Sequence, residues 1–387
     1  MWADFPFRPQ EEAMPPPTPS LWDYFSDLPD PRRSQGRRHK LRDILAVALC
    51  AVLCGADDFT EIEAFGETRE AWLRQFLDLP HGIPSHDTFG RVFAALDPRA
   101  FGRCFMSWVR GVASLSEGAI VAIDGKAVRR SYDAARDCPA IKLVSAWARE
   151  NRLTLGQVKV AAGSNEITAV PELLRALAVK GCVVTADALN CQKEIAAEVR
   201  RRGADYVLAL KGNHGGLHER VAQFLSSVRG GRTHGFQLGE HTSVEKEHGR
   251  IEERYFLQVE APADLTAGGE WVGLASVGMC EAVRELDGEV SRHRRYYLSS
   301  LPVEAGKFAE AVRGHWAVEN SCHWVLDVAF GEDDSRVRVA HAAENFALLR
   351  RIVNNLLQHE RSVKLGVKAK RLKAALDENY LLKVLRL

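Results

Sequence analysis

Apolar and polar positions change period along this chain, and each change marks a new kind of element. From residue 21 to about 115 the apolar residues return every three or four positions, which predicts helices. LRDILAVALCAVLCGADD reads as an apolar helix stopped by Gly55, and DFTEIEAFGETREAWLRQFL as helical spacing interrupted by Gly66. IPSHDTFGRVFAAL opens with a turn whose Ser85 and Asp87 cap a short helix, and PRAFGRCFMSWVRGV is another. These form an all-α N-terminal domain.

At Gly118 the texture becomes strand-like. Residues 119–124 (AIVAID), 141–148 and 153–161 read as strands, 167–181 as a helix, 182–187 (CVVTAD) as a buried strand, NCQKEIAAEVRRRGA as a helix and 205–213 as a fifth strand. The order β-β-β-α-β-α-β, alternating in its later part, predicts an α/β sheet with parallel strands. GLHERVAQFLSSV is then a helix, and the chain from about 234 to 300 reads mostly as β. Residues 313–338, RGHWAVENSCHWVLDVAFGEDDSRVR, read as one long amphipathic helix ending near Phe330 and Gly331. Trp316, Trp324, Leu326 and Val328 supply its apolar surface, and Glu319, His323 and Asp327 share one face at four-residue spacing. Residues 342–360 form a further long amphipathic helix. The end of the chain is basic, with a short terminal helix.

A length of 387 residues predicts two or three domains. Hydrophobic content of 46% with 27% charged residues describes a soluble globular chain, expected in the cytoplasm. The formal net charge of +1 means that a nucleic-acid partner must be met by a local basic surface rather than by overall charge. The cysteines (Cys50, Cys54, Cys104, Cys138, Cys182, Cys191, Cys280 and Cys322) form no C-x-x-C pair and read as buried reduced thiols rather than a zinc site. The N-terminus is acidic and Pro-rich, unlike a signal peptide, and the longest apolar run, 44–56, is too short to span a bilayer.

Chemistry enters with three carboxylates. Asp124 and Asp187 end predicted strands, and ligands of open α/β sheets gather outside the carboxyl ends of strands. Glu319 lies on a half-buried helix face, where a carboxylate is costly unless it meets a cation. Three such groups suit a pair of Mg²⁺ ions, or Mn²⁺, which take oxygen ligands and, about 3.5–4 Å apart, serve displacement at a phosphodiester.

The chain resembles the DDE transposases of bacterial insertion sequences, in the branch that includes the H-repeat-associated proteins. The motifs that carry the resemblance are GADDFTEIEAFG, GIPSHDTFGRVF, AIDGKAVRRS, VVTADALNCQKEIA, YVLALKGN, HGRIEER, YYLSSL, HWAVENSCHWVLDVAFGEDDSRVR and ENFALLRR. Residues 1–20 read by composition as a disordered tail, and the resemblance, which covers the chain from residue 21 on, implies a helical DNA-recognition domain over 21–115. An RNase H-like core over 116–232 and 302–361 comes next, interrupted by a β-rich insertion over 233–301 and closed by a basic tail over 362–387. It implies catalytic, metal-holding roles for Asp124, Asp187 and Glu319, and a double-stranded DNA partner, both terminal inverted repeats and target. It further implies a homodimer when two ends are synapsed, no membrane and no organic cofactor.

Around the glutamate a wider transposase signature places a tyrosine, an arginine and a lysine; here the matching offsets hold Val312, His315 and Leu326. Candidate contacts for DNA phosphates are Arg32, Arg33, Arg37 and Arg38 before the first long helix, and Lys126 and Arg129 after the first strand. Lys211, Arg313, His315, His323, Arg336 and Arg338 join them, with Lys370 and Arg371 in the basic stretch near the end. Asn190 and Gln192 are placed to orient Asp187 or cap the next helix. Glu332, Asp333 and Asp334 read as a loop with Arg336 and Arg338 as partners, ranked behind Glu319 as ligands. His248, Arg250 and Glu252 are singled out by the HGRIEER motif with no chemical role assigned. The expected activity is metal-dependent cleavage at element ends followed by strand transfer. The rivals are a nuclease without strand transfer and an inactive, domesticated DNA-binding protein.

Overall fold

The computed structural model describes residues 20–132, 139–233, 235–247, 250–286 and 289–385; Cys138, His248 and most of the expected N-terminal tail lie outside them. The chain opens with six helices: α1 (Leu21–Phe25), α2 (Leu41–Leu53), α3 (Phe59–Thr68), α4 (Glu70–Leu73), α5 (His86–Ala95) and α6 (Pro98–Val112). Their starts obey local chemistry. Asp58 accepts from the Glu61 N–H, Ser85 from that of Thr88, and Asp97 from those of Arg99 and Ala100, with Pro98 leading the last helix. Two expectations change. Asp87 lies inside α5 rather than capping it. Gly66 does not interrupt its helix; α3 runs through it to Thr68, with Gly66 buried.

The sheet is built from β1 (Ile120–Ala127), β2 (Lys142–Ala148), β3 (Leu153–Lys159), α7 (Glu166–Ala176), β4 (Val183–Ala186), α8 (Lys193–Arg201), β5 (Asp205–Leu210) and α9 (Gly215–Arg229). Then come β6 (Leu238–Glu247), β7 (Arg250–Glu260), α10 (Ala263–Thr266), β8 (Ser276–Leu286) and β9 (Glu289–Ser299). The strand order is β3-β2-β1-β4-β5-β9-β8-β7-β6. Within it, β1, β4 and β5 are parallel and β2 and β3 antiparallel, the RNase H-like core expected behind a helical N-terminal region. The β-rich insertion does not stand apart. Its last strand, β9, pairs antiparallel with β5 (Val207 opposite Ser299, Leu210 opposite Tyr296), so the inserted hairpins prolong the core sheet.

The first strand also runs further than its sequence suggests. Pairing of β1 with β4 stops at Ile123 opposite Ala186, but β1 continues beside β2, with Asp124 opposite Ser145. Asp124 and Asp187 therefore sit where two parallel strands part, the position at which such sheets place ligands.

The remaining helices are α11 (Ala305–Val318), a π-helical turn (Glu319–His323), α12 (Trp324–Phe330), α13 (Ala342–His359), α14 (Val367–Leu376) and α15 (Glu378–Leu385). α13 is the spine. It is buried along nearly its whole length and packs against α2, α5 and α6 on one side and β3 on the other. Its Asn345 donates to the carbonyls of Phe93 and Leu96, and its Asn355 exchanges two hydrogen bonds with the Thr154 backbone of β3. The basic C-terminal stretch forms α14 and α15, packed on α13. Among the described residues no helix is long and apolar enough to cross a membrane.

Candidate active site

Three elements meet at the point where β1 and β4 part. β1 presents Asp124 and, two residues on and so on the same face, Lys126. The residue after β4 is Asp187. The helix that carries Glu319 crosses above: Gly314 rides so close to β1 that a Cβ there would lie 2.8 Å from Ile120 Cγ2.

The expected single α-helix does not form. Residues 319–323 adopt a π-helical turn, a widening often found at functional sites. One extra residue in a turn rotates the downstream side chains by roughly 100° relative to an unbroken α-helix. Trp324 and Val328, expected to be apolar packing, are 60% and 46% exposed, while Cys322 and Leu326 are buried. Glu319, His323 and Asp327 nevertheless all turn towards the end of β1. Glu319 is exposed. His323 is tucked in with Nδ1 3.4 Å from Asp124 Oδ2. Asp327 turns to the Lys126 ammonium. Gly331, with φ of 55°, ends α12 in the left-handed conformation.

The carboxylates act on one another. Burial, reinforced by the charges of Asp187, Glu319 and Glu166, pushes Asp124 up to about 7, against a hydrogen bond from the Gly125 N–H. Asp187 is held by Asn190, whose backbone N–H and side-chain Nδ2 both donate to Oδ1, at 3.1 and 2.9 Å. Asn190 is thus an orienting residue, whereas Gln192 Nε2 bonds the Leu189 carbonyl. Glu166 carries no motif, and its place at the start of α7 reads as ordinary complementation of a helix dipole. Yet its carboxylate lies over Gly125, where a Cβ would fall 2.3 Å from it, and burial raises its pKa as well. His323 is pushed down to about 4, by burial and then by Arg351 and Lys126, so it stands neutral beside Asp124. Its Nε2 is buried without a hydrogen-bond partner.

An all-oxygen donor set that repels itself fits a hard divalent cation. Among the described residues no three acidic, histidine or cysteine side chains are already drawn into a metal-holding cage; Asp124, Asp187 and Glu319 are the residues that would supply oxygen donors. Metal binding at such a site moves a proton. At pH 6 Asp124 is mostly protonated in the metal-free chain, so a divalent cation taken up there would displace its proton; near pH 8.5 it is already ionised. Calorimetric titration in buffers of different ionisation enthalpy is expected to show about one proton released at pH 6 and almost none at pH 8.5. Equal release at both would mean that Asp124 is not a ligand.

Behind these carboxylates lies a buried charge network that links three of the quoted motifs. Lys126 Nζ donates to Glu332 Oε2 at 2.9 Å and to Asp327, and lies 3.5 Å from Asp333. Glu332 is fully buried and accepts from Arg351 Nη1 at 2.7 Å. Its partners are therefore Lys126 and Arg351, not Arg336 and Arg338.

Several expected phosphate contacts are correspondingly enclosed. Lys126 is occupied by the network. His315 is half-buried with Nδ1 3.2 Å from Thr185 Oγ1, and burial pushes it down to about 4. Lys370 donates to the carbonyls of Leu357 and Glu360. Arg371 donates to those of Val52, Ala56 and Ala329 and to Asp57. Arg313 pairs with Glu245, and Arg32 with Asp30 and the His39 carbonyl. Arg33, Arg38, Lys211 and Arg336 are exposed. Arg37 is exposed and bonds the Arg32 carbonyl. Arg129 reaches Asp333 at 3.2 Å from a largely exposed position, and Arg338 bonds the Arg130 carbonyl. In the HGRIEER stretch, Glu252 pairs with Arg254 at 2.9 Å.

Comparison with known proteins agrees with this architecture. A family described as "Transposase DDE domain" matches residues 115–356, and one described as "DDE_Tnp_1-associated" matches residues 22–109. "H repeat-associated putative transposase YhhI" of Escherichia coli (strain K12) is 40% identical over 373 residues, 94% of this chain and 97% of its own length. "Putative transposase YncI" of Escherichia coli O157:H7 is 41% identical over 375 residues, 95% of this chain and 94% of its own. "H repeat-associated putative transposase YbfD" of strain K12 is 38% identical over 247 residues, 63% of this chain and 96% of its own.

Proposed function

The chain belongs to the DDE transposase family, and on that premise we propose that it cleaves DNA at the ends of its element and joins the freed 3′-hydroxyl to target DNA. The observation that carries the reading is the gathering of Asp187, Glu319 and Glu166 around Asp124, whose pKa is pushed up to about 7 by burial first and by their charges second. Such a site is electrostatically incomplete without cations. Asp124, Asp187 and Glu319 would hold two Mg²⁺ or Mn²⁺ ions, with Glu166 beside them. When bound, the ions supply a lowered pKa for an attacking hydroxyl and compensation of charge on the leaving oxygen.

The chain's own residues then divide the work. Asn190 fixes the Asp187 carboxylate through two donors, and the neutral His323 fills the space beside Asp124 without adding positive charge that would compete with a cation. Lys126 fastens β1 to the helix after Glu319 and so sets the spacing of Asp124 from Glu319. A covalent protein–DNA intermediate is not required, because water and then the 3′-hydroxyl serve as nucleophiles. Bringing two element ends together calls for at least a dimer on DNA.

The test uses purified protein, Mg²⁺ and a labelled duplex carrying the element's terminal repeat, both intact and precut to expose its 3′-hydroxyl, with plasmid as target. Cutting of the first and joining of the second, both abolished by EDTA, are expected. Cutting without joining would reassign the protein as a nuclease. Binding with neither reaction would make it a DNA-binding protein that retains the fold.

A further inference from the structure

The inserted strands do more than widen the sheet: they wall a second cavity, of about 420 Å³, into which the Glu319 turn opens. We propose that this cavity binds backbone phosphates of one DNA strand immediately beside the bond to be cut, with Arg284 and Arg295 as its phosphate ligands. The inference rests on the transposase reading and names the surface by which that site takes its substrate.

Register puts the cations on one face. Arg284 lies opposite Ser291 and Glu252, Ala282 opposite His293, and Cys280 opposite Arg295. Successive side chains of a strand alternate between faces. Arg284, His293 and Arg295 therefore face the cavity together with Trp316, Glu319 and Asn320. Arg294, on the opposite face, is neutralised by Glu281, and Arg254 by Glu245 and Glu252. Arg284 and Arg295 make no ion pair among the described residues, and both are exposed. The carboxylates of the same lining are Glu252, which is engaged by Arg254, and Glu319.

The aromatic ring sharpens the choice of ligand. The Arg295 guanidinium lies 4.3 Å over the Trp316 ring. A stacked guanidinium keeps its in-plane N–H groups free, and these match two phosphate oxygens in the fork geometry that favours arginine over lysine. Trp316 precedes Glu319 by three residues, so the stacked arginine is held at a fixed remove from the carboxylate. A cavity of this size is at the lower end of ordinary ligand pockets, about 300–1,000 Å³; it suits a short run of one strand rather than a duplex. The cations sought in the sequence near Asp124 and at the C-terminus are taken up by the fold, whereas these two are presented by the insertion.

The experiment measures binding without cleavage. The full-length chain in EDTA is titrated with a fluorescent terminal-repeat duplex at several salt concentrations, beside Arg284→Ala, Arg295→Ala and the double variant. Each lost phosphate contact is expected to reduce the slope of log K against log [salt] by about 0.9 for duplex or 0.7 for a single strand. The double variant should lose roughly twice as much, with an unchanged melting temperature. Duplexes whose phosphates flanking the cleavage position are replaced by neutral methylphosphonates should weaken binding by the wild-type chain and have no further effect on the double variant. A double variant with the wild-type slope, or one that still senses the methylphosphonates in full, overturns the assignment while leaving the transposase reading intact. A wild-type chain that does not bind the repeat overturns both.

Discussion

Glu332→Ala is expected to destabilise the folded chain by about 3–5 kcal/mol, the usual cost of removing one partner from a buried ion pair. Glu332 is wholly enclosed, and so is Arg351, whose Nε and Nη2 already lack partners. Removing the carboxylate strands that guanidinium in the interior with only the Ala347 carbonyl to receive it. Lys126 loses one of its three acidic neighbours. Burial alone would raise the Glu332 pKa; Arg351, Lys126 and Arg350 overturn that and hold it down to about 2. A carboxyl whose folded pKa lies below its unfolded value stabilises above the unfolded pKa, near 4.3, and loses that contribution as the pH falls towards 2. Urea titration of wild type and Glu332→Ala at pH 7 and pH 3 should therefore show a gap that narrows in acid. The same position separates two roles for this residue. Were Glu332 a metal ligand, Glu332→Gln would abolish cleavage while leaving stability almost unchanged. The geometry predicts instead a less stable protein whose folded fraction still cuts.

Asp187→Ala and Glu319→Ala are expected to remove cleavage at the element end by more than the 10–100-fold that loss of a supporting partner of a metal ligand costs. Asn190→Ala supplies that internal standard. Asn190 touches Asp187 but lies one step further from the reaction, so its loss should fall in the 10–100-fold range. The measurement is the initial rate of cutting of a labelled terminal-repeat duplex, with DNA binding recorded in parallel so that a folding failure is not read as a catalytic one. Full activity in Glu319→Ala would reassign the third carboxylate. Glu166 would then be tested first, because its charge also reaches Asp124.

A residue's placement was legible in the sequence where its determinants are local. Asp124 and Asp187 could be found because a strand ending in an aspartate is a short pattern, and the strand order that brings the two together is implied by the helix–strand alternation. Helix caps at Ser85 and the stop at Gly331 were equally local. The π turn was not: one added residue in a single turn leaves no mark on the apolar spacing, yet Trp324 and Val328, expected to pack, are left exposed. Glu166 was invisible because its neighbour Gly125 lies on a strand some forty positions earlier. Lys126, Lys370 and Arg371 were misjudged for a common reason. A basic residue in a polar stretch looks solvent-facing until a buried carboxylate or a set of helix-end carbonyls closes over it, and those groups come from distant parts of the chain.

Arg371 also bears on synthesis. Its guanidinium reaches the carbonyl of Ala56, 315 residues earlier in the chain, as well as that of Val52 at the end of α2. Domains commonly fold in order as the ribosome extends the chain by roughly 5–20 residues per second. Here the carbonyls that end the first long helix wait on the order of 15–60 seconds for their final donor. The helical layer is thus sealed only once residue 371 has been made, and a chain cut short before it would leave the Val52 and Ala56 carbonyls without this donor.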